Sequence, residues 1–416
     1  MRPLLVSTYD SFGGAAKAAL RLHHGLRMTG VSSSVVAQDK RKTDSTVVSA
    51  ATPLALLTAK LRPRLDALVT SICGGCRQGL FSPAVVPTQL GQFFKKPTHD
   101  VIHLHWVNEG FLRIEDLANC RKPVVWTLHD MWPFTGGCHH SGDCRRFCTQ
   151  CCKCPHLGWS SKMDLSYWTW LRKNRSWKDV PFTIISPSNW LAQCARDSAL
   201  FRRFPIEVIP NGIDTNCFAP HDKQLCRSLL GLPQDAVLLL AGGVAITKND
   251  RKGIRQLIQA LKLVVPGVEI AVLGAADGGL DLGMPTHYLG YLHDDMSLAV
   301  AYAAADIFVS ASLEENLSNM VMEAAACGVP TVAFRVGGMS DLVDSGKNGL
   351  LVTLEDADEM AGAINRLVCD QAERVAFGAE ARKIVEREFA MERVVQRYIQ
   401  VYKRVIENNA ENQQII

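Results

Sequence analysis

The chain has 416 residues, which is more than one ordinary hydrophobic core needs and enough for two domains. Hydrophobic residues make up 47% of it, and a formal net charge of +4 is small for this size, which argues against a nucleic-acid partner. No run reaches the roughly 18 consecutive apolar residues of a transmembrane helix, and the apolar start at Pro3–Val6 is too short for a signal peptide. We therefore expect a cytoplasmic protein.

The first half of the chain alternates short apolar runs with longer amphipathic segments, which is typical of a doubly wound parallel sheet. A strand predicted at 3–7 is followed by Gly13 and Gly14 and then by a helix to about Met28. Further strands are predicted at 32–37, 101–105, 124–128 and 182–186. Ligands of such sheets bind at the carboxyl ends of the strands, so the polar residues there are candidates for a binding site.

Residues 40–98 give the weakest pattern in this half. An amphipathic stretch at 54–68 carries Lys60, Arg62 and Arg64. The pattern favours solvated helices, and an element that contacts an anionic membrane is the alternative.

A second series of strands begins after a turn-rich stretch near 210–220, which marks the expected change of domain. The predicted strands are 236–241, 269–273, 287–289, 307–311 and 331–334. Helical segments follow at 253–264 and 320–327, and the chain is mostly helical from about Asp356 onward.

Two carboxylates in this second series suggest a ligand site. Glu315 lies in a loop after a strand, and Glu323 lies about one turn into the next helix. The backbone amides of Leu317, Ser318 and Asn319 fall at the helix N-terminus, where orphan amides and the helix dipole favour a pyrophosphate. Glu323 is suited to accept hydrogen bonds from a ribose diol, and Glu315 to hold a sugar hydroxyl. The alternative is that both acids merely interact with the helix dipole.

Six of the 14 cysteines lie between Cys138 and Cys154. In a reducing compartment this cluster argues for metal binding or plain thiols rather than disulfides. Cys138, Cys144, Cys151 and Cys154 have the spacing C-x5-C-x6-C-x2-C, which predicts a structural zinc site. Alternative ligands are Cys148, Cys152, His139 and His140. Reduced thiols or adventitious disulfides remain the other interpretation.

The segment around Glu315 and Glu323 resembles the Glu-x7-Glu motif of the retaining glycosyltransferases of family 4, which have the GT-B fold. Other segments match that family in the same order: Gly13–Ala16, Trp126–Asp130, Ser186–Leu191, Val208–Asp214, Arg251–Gly253, Cys327–Val332 and Gly337–Gly338. The segments His103–Trp106 and Thr135–Cys138 look like those of enzymes of colanic acid and related exopolysaccharide synthesis. The resemblance implies that those enzymes carry cysteines at the same four positions.

This resemblance implies an α/β protein with two Rossmann-like, doubly wound domains that face each other across a cleft. Residues 1–215 would form the acceptor-side domain and 216–385 the domain that binds the nucleotide sugar. The last helix, 386–416, would return to the first domain, and apolar residues at helical spacing support it. A helix packed wholly on the second domain is the alternative.

The resemblance also implies roles for cationic and glycine residues. Lys252 would neutralise the diphosphate leaving group, and this stabilisation of charge would be the main catalytic contribution. Arg251, which lies beside it, would bind the donor, and Glu315 would belong to the catalytic set. Gly13 and Gly14 would let the backbone approach the donor or acceptor closely.

A histidine completes the implied catalytic set. His129 would reach the anomeric centre or a donor hydroxyl from the opposite domain, or it is a buried histidine satisfied by Asp130 or by backbone. His103 and His105 are expected to alternate across their strand, with His105, nearer the strand end, favoured for the site.

One position departs from the family pattern. The family usually carries a cation directly after the first strand of the second domain, whereas 242–245 here contain none. Lys248 and Arg251 are the candidate replacements.

The function predicted from these observations is transfer of a hexose from a nucleoside diphosphate sugar to a glycan or lipid-linked acceptor, with retention and without a catalytic metal. A peripheral position at the inner face of a membrane is compatible with this. A nucleotide-sugar epimerase of similar fold and a binding subunit without turnover are the alternatives. The glycine-rich motifs of P-loop enzymes and of dehydrogenases do not occur between a predicted strand and the helix that follows it, where those enzymes carry them.

Overall fold

The computed structural model describes residues 1–41, 43–49, 53–77, 79–118, 120–243, 250–275 and 281–414, with the backbone alone for 53–60 and 412–414. These residues divide into two units. The first comprises 1–210 together with 394–416, and the second comprises 211–393.

The first unit contains a seven-stranded parallel sheet. The strands of such sheets are continuous apolar runs, because both faces of the sheet are covered by other elements. The strands are β1 (Pro3–Tyr9), β2 (Ser34–Asp39), β3 (Val47–Ser49), β4 (Val101–Leu104), β5 (Val124–Thr127), β6 (Phe182–Ser186) and β7 (Ile206–Val208). Their order across the sheet is β3-β2-β1-β4-β5-β6-β7. The sequence pattern did not predict β3 and β7, which have only three residues each.

Helices of the first unit connect these strands. They are α1 (Gly13–Met28), α2 (Pro53–Ile72), α3 (Leu90–Lys95), α4 (Leu165–Ser176) and α5 (Asn189–Asp197). Ser188 caps α5, since its hydroxyl oxygen accepts a hydrogen bond of 3.2 Å from the backbone N–H of Leu191. Within the described residues no helix is both long and apolar enough to cross a membrane.

The second unit contains a six-stranded sheet with the strand order β10-β9-β8-β11-β12-β13. Its strands are β8 (Val237–Gly242), β9 (Val268–Leu273), β10 (Thr286–Gly290), β11 (Ile307–Ser310), β12 (Thr331–Phe334) and β13 (Gly349–Val352). Its helices are α6 (Lys223–Leu230), α7 (Ile254–Leu261), α8 (Asp295–Ala304), α9 (Asn319–Ala326), α10 (Ala357–Cys369) and α11 (Gln371–Ile384), which a π-helical turn at Val385–Phe389 follows. The strand order reverses between β1 and β4 in one sheet and between β8 and β11 in the other, as in Rossmann-like folds. The predicted α/β class with two Rossmann-like sheets is therefore confirmed.

The last helix, α12 (Met391–Gln414), contributes its residues from 394 onward to the first unit. Two buried tyrosines attach it there. The Tyr402 hydroxyl lies 2.6 Å from Nδ1 of His103, and the Tyr398 hydroxyl lies 2.8 Å from Oγ1 of Thr127. The C-terminal residues of the chain therefore complete the hydrogen bonding of strands β4 and β5.

Candidate active site

The acidic motif of the second unit follows β11, which adjoins β8 where the strand order of the sheet reverses. Open α/β sheets bind ligands at the carboxyl ends of the strands beside such a reversal. Helix α9 begins here, and Ser318 caps it by accepting a hydrogen bond of 3.3 Å from the backbone N–H of Val321. The Asn319 side chain accepts a hydrogen bond of 2.9 Å from the Asn211 amide. The backbone amides of Leu317, Ser318 and Asn319 thus lie at a helix start, as the sequence predicts.

Glu323 is 3% exposed in α9. Its Oε2 atom accepts a hydrogen bond of 2.8 Å from the hydroxyl of Tyr302, which lies in α8. A buried carboxylate needs such a partner, and the phenol also fixes the orientation of the carboxylate. The sequence pattern did not single out Tyr302, because nothing in the spacing of 302 and 323 shows that α8 packs beside α9.

Lys252 and Glu315 form an ion pair with 2.9 Å between Nζ and Oε2. The ammonium group also lies 3.5 Å from the Ser312 hydroxyl. Both charged side chains are largely buried, with 25% of the lysine side chain and 17% of the glutamate side chain exposed. The structure therefore brings together two predicted catalytic residues that lie 63 positions apart.

Glycines make this close approach possible. Gly253, directly after Lys252, has a φ of +65°, and a Cβ atom there would lie 1.8 Å from the backbone oxygen of Ala311. A Cβ atom on Gly243 would lie 3.3 Å from the aliphatic carbons of Lys252. The backbone N–H of Gly338 donates a hydrogen bond of 3.3 Å to the backbone oxygen of Glu315, which places the predicted glycine pair beside the ion pair.

The departure from the family pattern lies at the end of β8. The described residues there, Gly242 and Gly243, carry no cation, and the remaining part of the loop, including Lys248, lies outside the described residues. The backbone of Arg251 is joined to the segment after β11, since its carbonyl oxygen accepts a hydrogen bond of 2.8 Å from the N–H of Leu313. The donor-binding role of Arg251 stays a prediction.

In the first unit, Gly13 and Gly14 begin α1, after the carboxyl end of β1. Gly13 has a φ of +84°, which favours glycine over residues with a side chain. No side chain caps this helix start, since Phe12 precedes it. The turn therefore presents backbone at the strand end, as the predicted close approach to a ligand requires.

His129 follows β5 and is paired with another histidine. Its Nε2 atom lies 3.0 Å from Nδ1 of His105. Burial lowers the pKa of His129 to about 4, so that the ring is neutral at neutral pH. A neutral imidazole can donate one hydrogen bond and accept another, which suits contact with a sugar hydroxyl.

Asp130 is not the partner of His129. Its carboxylate accepts hydrogen bonds from the Trp106 indole at 2.7 Å and the Trp132 backbone N–H at 2.9 Å, and it pairs with Nδ1 of His139 at 2.6 Å. Burial alone would raise the pKa of Asp130, but His139 and these hydrogen bonds lower it to about 2. Asp130 therefore anchors the loop that follows it.

The expectation that His103 and His105 alternate across the strand is wrong. Side chains two positions apart in a strand share a face, and the two rings lie with their centroids 4.2 Å apart. His103 is held by Tyr402 and by the Thr127 hydroxyl, which is 2.8 Å from Nε2. Burial lowers the pKa of both rings, for His103 to about 3.

The cysteine loop brings the four predicted ligands together. Cys138, Cys144, Cys151 and Cys154 line one small cavity of about 10 Å³, as does Cys152. The backbone N–H of Gly136 donates a hydrogen bond of 3.1 Å to Sγ of Cys151. The six cysteines between Cys138 and Cys154 form no disulfide, so the disulfide interpretation is not supported. Among the described residues, however, no three of these sulfur atoms lie within 4.8 Å of one another, so the zinc site stays a prediction.

Another group with metal-binding side chains was not singled out by the sequence pattern. The ligand atoms of His23, His24 and Asp44 all lie within 4.8 Å of one another. However, the ring nitrogens of His23 already contact the hydroxyl groups of Ser33 and Thr46, at 2.8 Å and 2.7 Å. These bonds join α1 to the segments before β2 and β3, which is a structural role.

Two family models match the chain. "Glycosyltransferase Family 4" matches residues 12–216, and "Glycosyl transferases group 1" matches residues 235–370. Curated relatives include D-inositol 3-phosphate glycosyltransferase 2 of Catenulispora acidiphila, which is 34% identical over 227 residues, covering 49% of this chain and 51% of that protein. The lipopolysaccharide core biosynthesis glycosyltransferase LpsE of Rhizobium meliloti is 30% identical over 205 residues, covering 47% of this chain and 57% of LpsE. This chain spans about half the length of the curated relatives it matches.

A solved structure shares the fold over nearly the whole chain. Anabaena HepE in complex with UDP-glucose superposes with a TM-score of 0.67 at 19% identity, covering 97% of this chain and 99% of HepE. At this identity the likeness concerns the fold alone.

Proposed function

We propose that this chain, which carries a family 4 and a group 1 glycosyltransferase domain, transfers a hexose from a nucleoside diphosphate sugar to a glycan or lipid-linked acceptor, with retention at the anomeric carbon. In this proposal the second unit binds the nucleotide sugar and the first is the acceptor side. The observation that carries it is the assembly of Lys252, Glu315, Glu323 and the α9 N-terminus at one strand-order reversal.

The second unit offers a group for each part of the donor. The amides at the start of α9 suit the diphosphate, and the buried Glu323, held by Tyr302, suits the ribose diol. Lys252 is the cation that would stabilise the charge that grows on the phosphate as the glycosidic bond breaks. The ion pair with Glu315 balances the positive charge of the partly buried ammonium group while no donor is bound. A bound diphosphate would compete with Glu315 for that ammonium group.

The proposed role of Glu315 follows from the same pair. A carboxylate that shares Lys252 with the diphosphate is placed close to the sugar attached to that diphosphate. It can accept a hydrogen bond from a sugar hydroxyl once the ammonium turns toward the phosphate. We therefore keep Glu315 in the catalytic set.

The proposed contributions of the first unit are Gly13, Gly14 and His129. The backbone of the two glycines is suited to approach a ligand closely, and His129 would contact the anomeric centre or a donor hydroxyl. The low pKa of His129 makes a hydrogen-bonding role the natural one, because a ring with a pKa of about 4 carries little charge at neutral pH.

A structural zinc ion held by Cys138, Cys144, Cys151 and Cys154 is part of the proposal. Four thiolates satisfy tetrahedral zinc and leave no open position for water or substrate. The metal would order a loop that His139 links to Asp130, the neighbour of His129 in the chain. Its chemistry would be structural, and no catalytic metal is proposed.

The biological setting is proposed from the resemblance and the names of relatives. LpsE is named for lipopolysaccharide core biosynthesis, and the segments at 103–106 and 135–138 resemble those of exopolysaccharide enzymes. A role in cell-surface polysaccharide synthesis, in the cytoplasm and peripheral to the membrane, fits both.

Product analysis tests this function. Purified protein is incubated with a panel of labelled nucleotide sugars and with membrane extract, and the products are separated and examined by NMR. The proposal expects a glycoconjugate whose new linkage keeps the anomeric configuration of the donor. A free epimer would indicate an epimerase, inversion would contradict the retaining mechanism, and donor binding without product would indicate a binding subunit.

A further inference from the structure

Helix α2 exposes its apolar residues and buries its polar ones, the reverse of an ordinary surface helix. Leu61, Leu65, Leu68 and Ile72 are 47%, 48%, 52% and 75% exposed, and we call these four residues the leucine stripe. Their spacing of four, three and four places them on one face of the helix. In the sequence, leucine recurs at the same spacing at positions 57 and 54.

The opposite face of α2 packs inward with polar side chains. Asp66 and Thr70 are 3% and 5% exposed. Burial raises the pKa of the Asp66 carboxyl group to about 6, and the Thr70 hydroxyl has no hydrogen-bond partner among the described residues. The chain thus buries a carboxyl group and an unpaired hydroxyl while four large apolar side chains face solvent, which has a free-energy cost unless the leucine stripe is covered.

The apolar surface continues beyond the end of α2. The segment after the helix runs beside 156–159, since Cys76 and Leu157 form an antiparallel bridge and Gly158 donates its N–H to the Gly75 carbonyl oxygen at 2.9 Å. Trp159 lies against Gly74 in this contact and is 65% exposed. An indole at the end of the leucine stripe is typical of a surface that enters the interfacial region of a bilayer.

The exposed charges of the two segments that carry this surface have one sign. Arg64 lies beside the leucine stripe on α2 and is exposed, as is Arg77 in the segment that follows. Residues 61–79 and 151–178 contain only two carboxylates, Asp66 and Asp164, and both are buried. No exposed acid in these two segments would repel an anionic surface.

From these observations we propose that the leucine stripe and Trp159 dock on an anionic lipid bilayer, with Arg64 and Arg77 at the headgroup level. A protein partner is less well matched, because the combination of a flat helical apolar stripe, an exposed indole and a cationic rim is that of interfacial helices. This inference specifies the membrane contact of the proposed function and depends on none of its chemistry. It also gives the inverted polarity of α2 a physical reason.

Vesicle co-sedimentation with the full chain, without donor, tests the docking surface. Vesicles of phosphatidylcholine alone are compared with vesicles of phosphatidylcholine and phosphatidylglycerol in equal amounts. The double variant Leu65→Glu/Leu68→Glu is expected to lower partitioning onto the anionic vesicles by about tenfold or more, since each leucine loses its burial. Arg64→Gln is expected to lower it about fivefold, and only on anionic vesicles.

The matched control is Leu225→Glu/Leu229→Glu, which changes two leucines that are 59% and 66% exposed on α6. It is expected to bind like the unchanged protein, and all variants to keep its thermal unfolding temperature. The proposal is overturned if the unchanged protein stays in the supernatant with both vesicle types. It is equally overturned if the Leu65/Leu68 variant binds vesicles normally but loses a self-association that sedimentation velocity detects without lipid. Because no donor is present, either outcome leaves the transferase proposal to its own test.

Discussion

At the scale of single residues, the site depends on partners that hold each charged group in place. Glu323 is buried in α9 and accepts its hydrogen bond from Tyr302. Lys252 is balanced by Glu315. His129 is paired with a neutral histidine rather than with the adjacent Asp130. Each arrangement supports one measurable expectation.

Glu323→Gln is expected to weaken donor binding by about 1.5–3 kcal/mol, because a charged hydrogen-bond acceptor for the ribose is lost. Tyr302→Phe is expected to weaken it by about 1 kcal/mol, since only the partner that orients the carboxylate is removed. Isothermal titration calorimetry with the donor measures both. The controls are Glu388→Gln and Tyr291→Phe, two residues exposed on the same unit, and unchanged binding in both site variants would refute the ribose assignment.

The burial of His129 makes the free energy of unfolding depend on pH. The folded state holds the pKa of His129 at about 4, below its ordinary value of 6.5. Between these values the unfolded chain binds more protons than the folded one, so the free energy of unfolding falls as pH is lowered from about 6.5 to about 4. His129→Gln is expected to flatten that dependence in thermal unfolding series. His293→Gln, at an exposed position, should leave it unchanged, and a His129 variant with the original pH dependence would contradict the burial of a neutral His129.

At the scale of elements, the loops after β5, β8 and β11 decide what the site contains. A glycine with positive φ lets the Lys252 segment lie against the residues that follow β11. Four cysteines of the loop after His129 line one small cavity. The first feature is sensitive to small changes, because the turn at Gly253 has no room for a methyl group.

Gly253→Ala is expected to lower both the unfolding temperature and donor affinity. The new Cβ atom would meet the Ala311 oxygen at 1.8 Å, so the backbone that carries Lys252 must shift. Gly231→Ala is the matched control, because Gly231 has the same φ of +65° with nothing within 4 Å of the added Cβ atom. It should cost about 1 kcal/mol in stability and nothing in affinity. Equal effects of the two substitutions would show that the close packing of Gly253 is unimportant.

The cysteine loop is expected to hold about one zinc per chain, measured by elemental analysis of protein purified without chelator. Cys144→Ser and Cys151→Ser should lose the metal and unfold at lower temperature. Cys369→Ser, at an exposed position far along the chain, should keep it. Protein that contains no metal yet has the same unfolding temperature before and after chelator treatment would contradict the zinc proposal.

At the scale of the whole molecule, the alternation of strands and helices was enough to predict two Rossmann-like sheets. The short strands β3, β7 and β13 were not predicted, because a run of three or four residues has no distinct periodicity of its own. Glu315 and Glu323 were singled out from their places around a predicted helix start, and Lys252 from the family resemblance. Their partners were not, since sequence spacing does not reveal which elements pack together.

Two further features could not be predicted from the sequence, for physical reasons. Tyr402 contacts His103 across 299 positions of sequence, a contact that only the return of the chain to the first sheet creates. The amphipathic stretch at 54–68 was predicted to be a solvated helix, but the pattern alone does not say which face turns outward. Of the described side chains, the structure turns Leu61, Leu65 and Leu68 outward and Asp66 inward.

The central claim is that the second unit stabilises the leaving diphosphate through Lys252, and the donor kinetics of Lys252→Ala test it most directly. Lys262→Ala, an exposed lysine on the same unit, is the control. The charge on the phosphate grows in the transition state, so we expect kcat to fall far more than donor affinity, while the control keeps both values. A Lys252→Ala enzyme with unchanged kcat would contradict the assignment of this site.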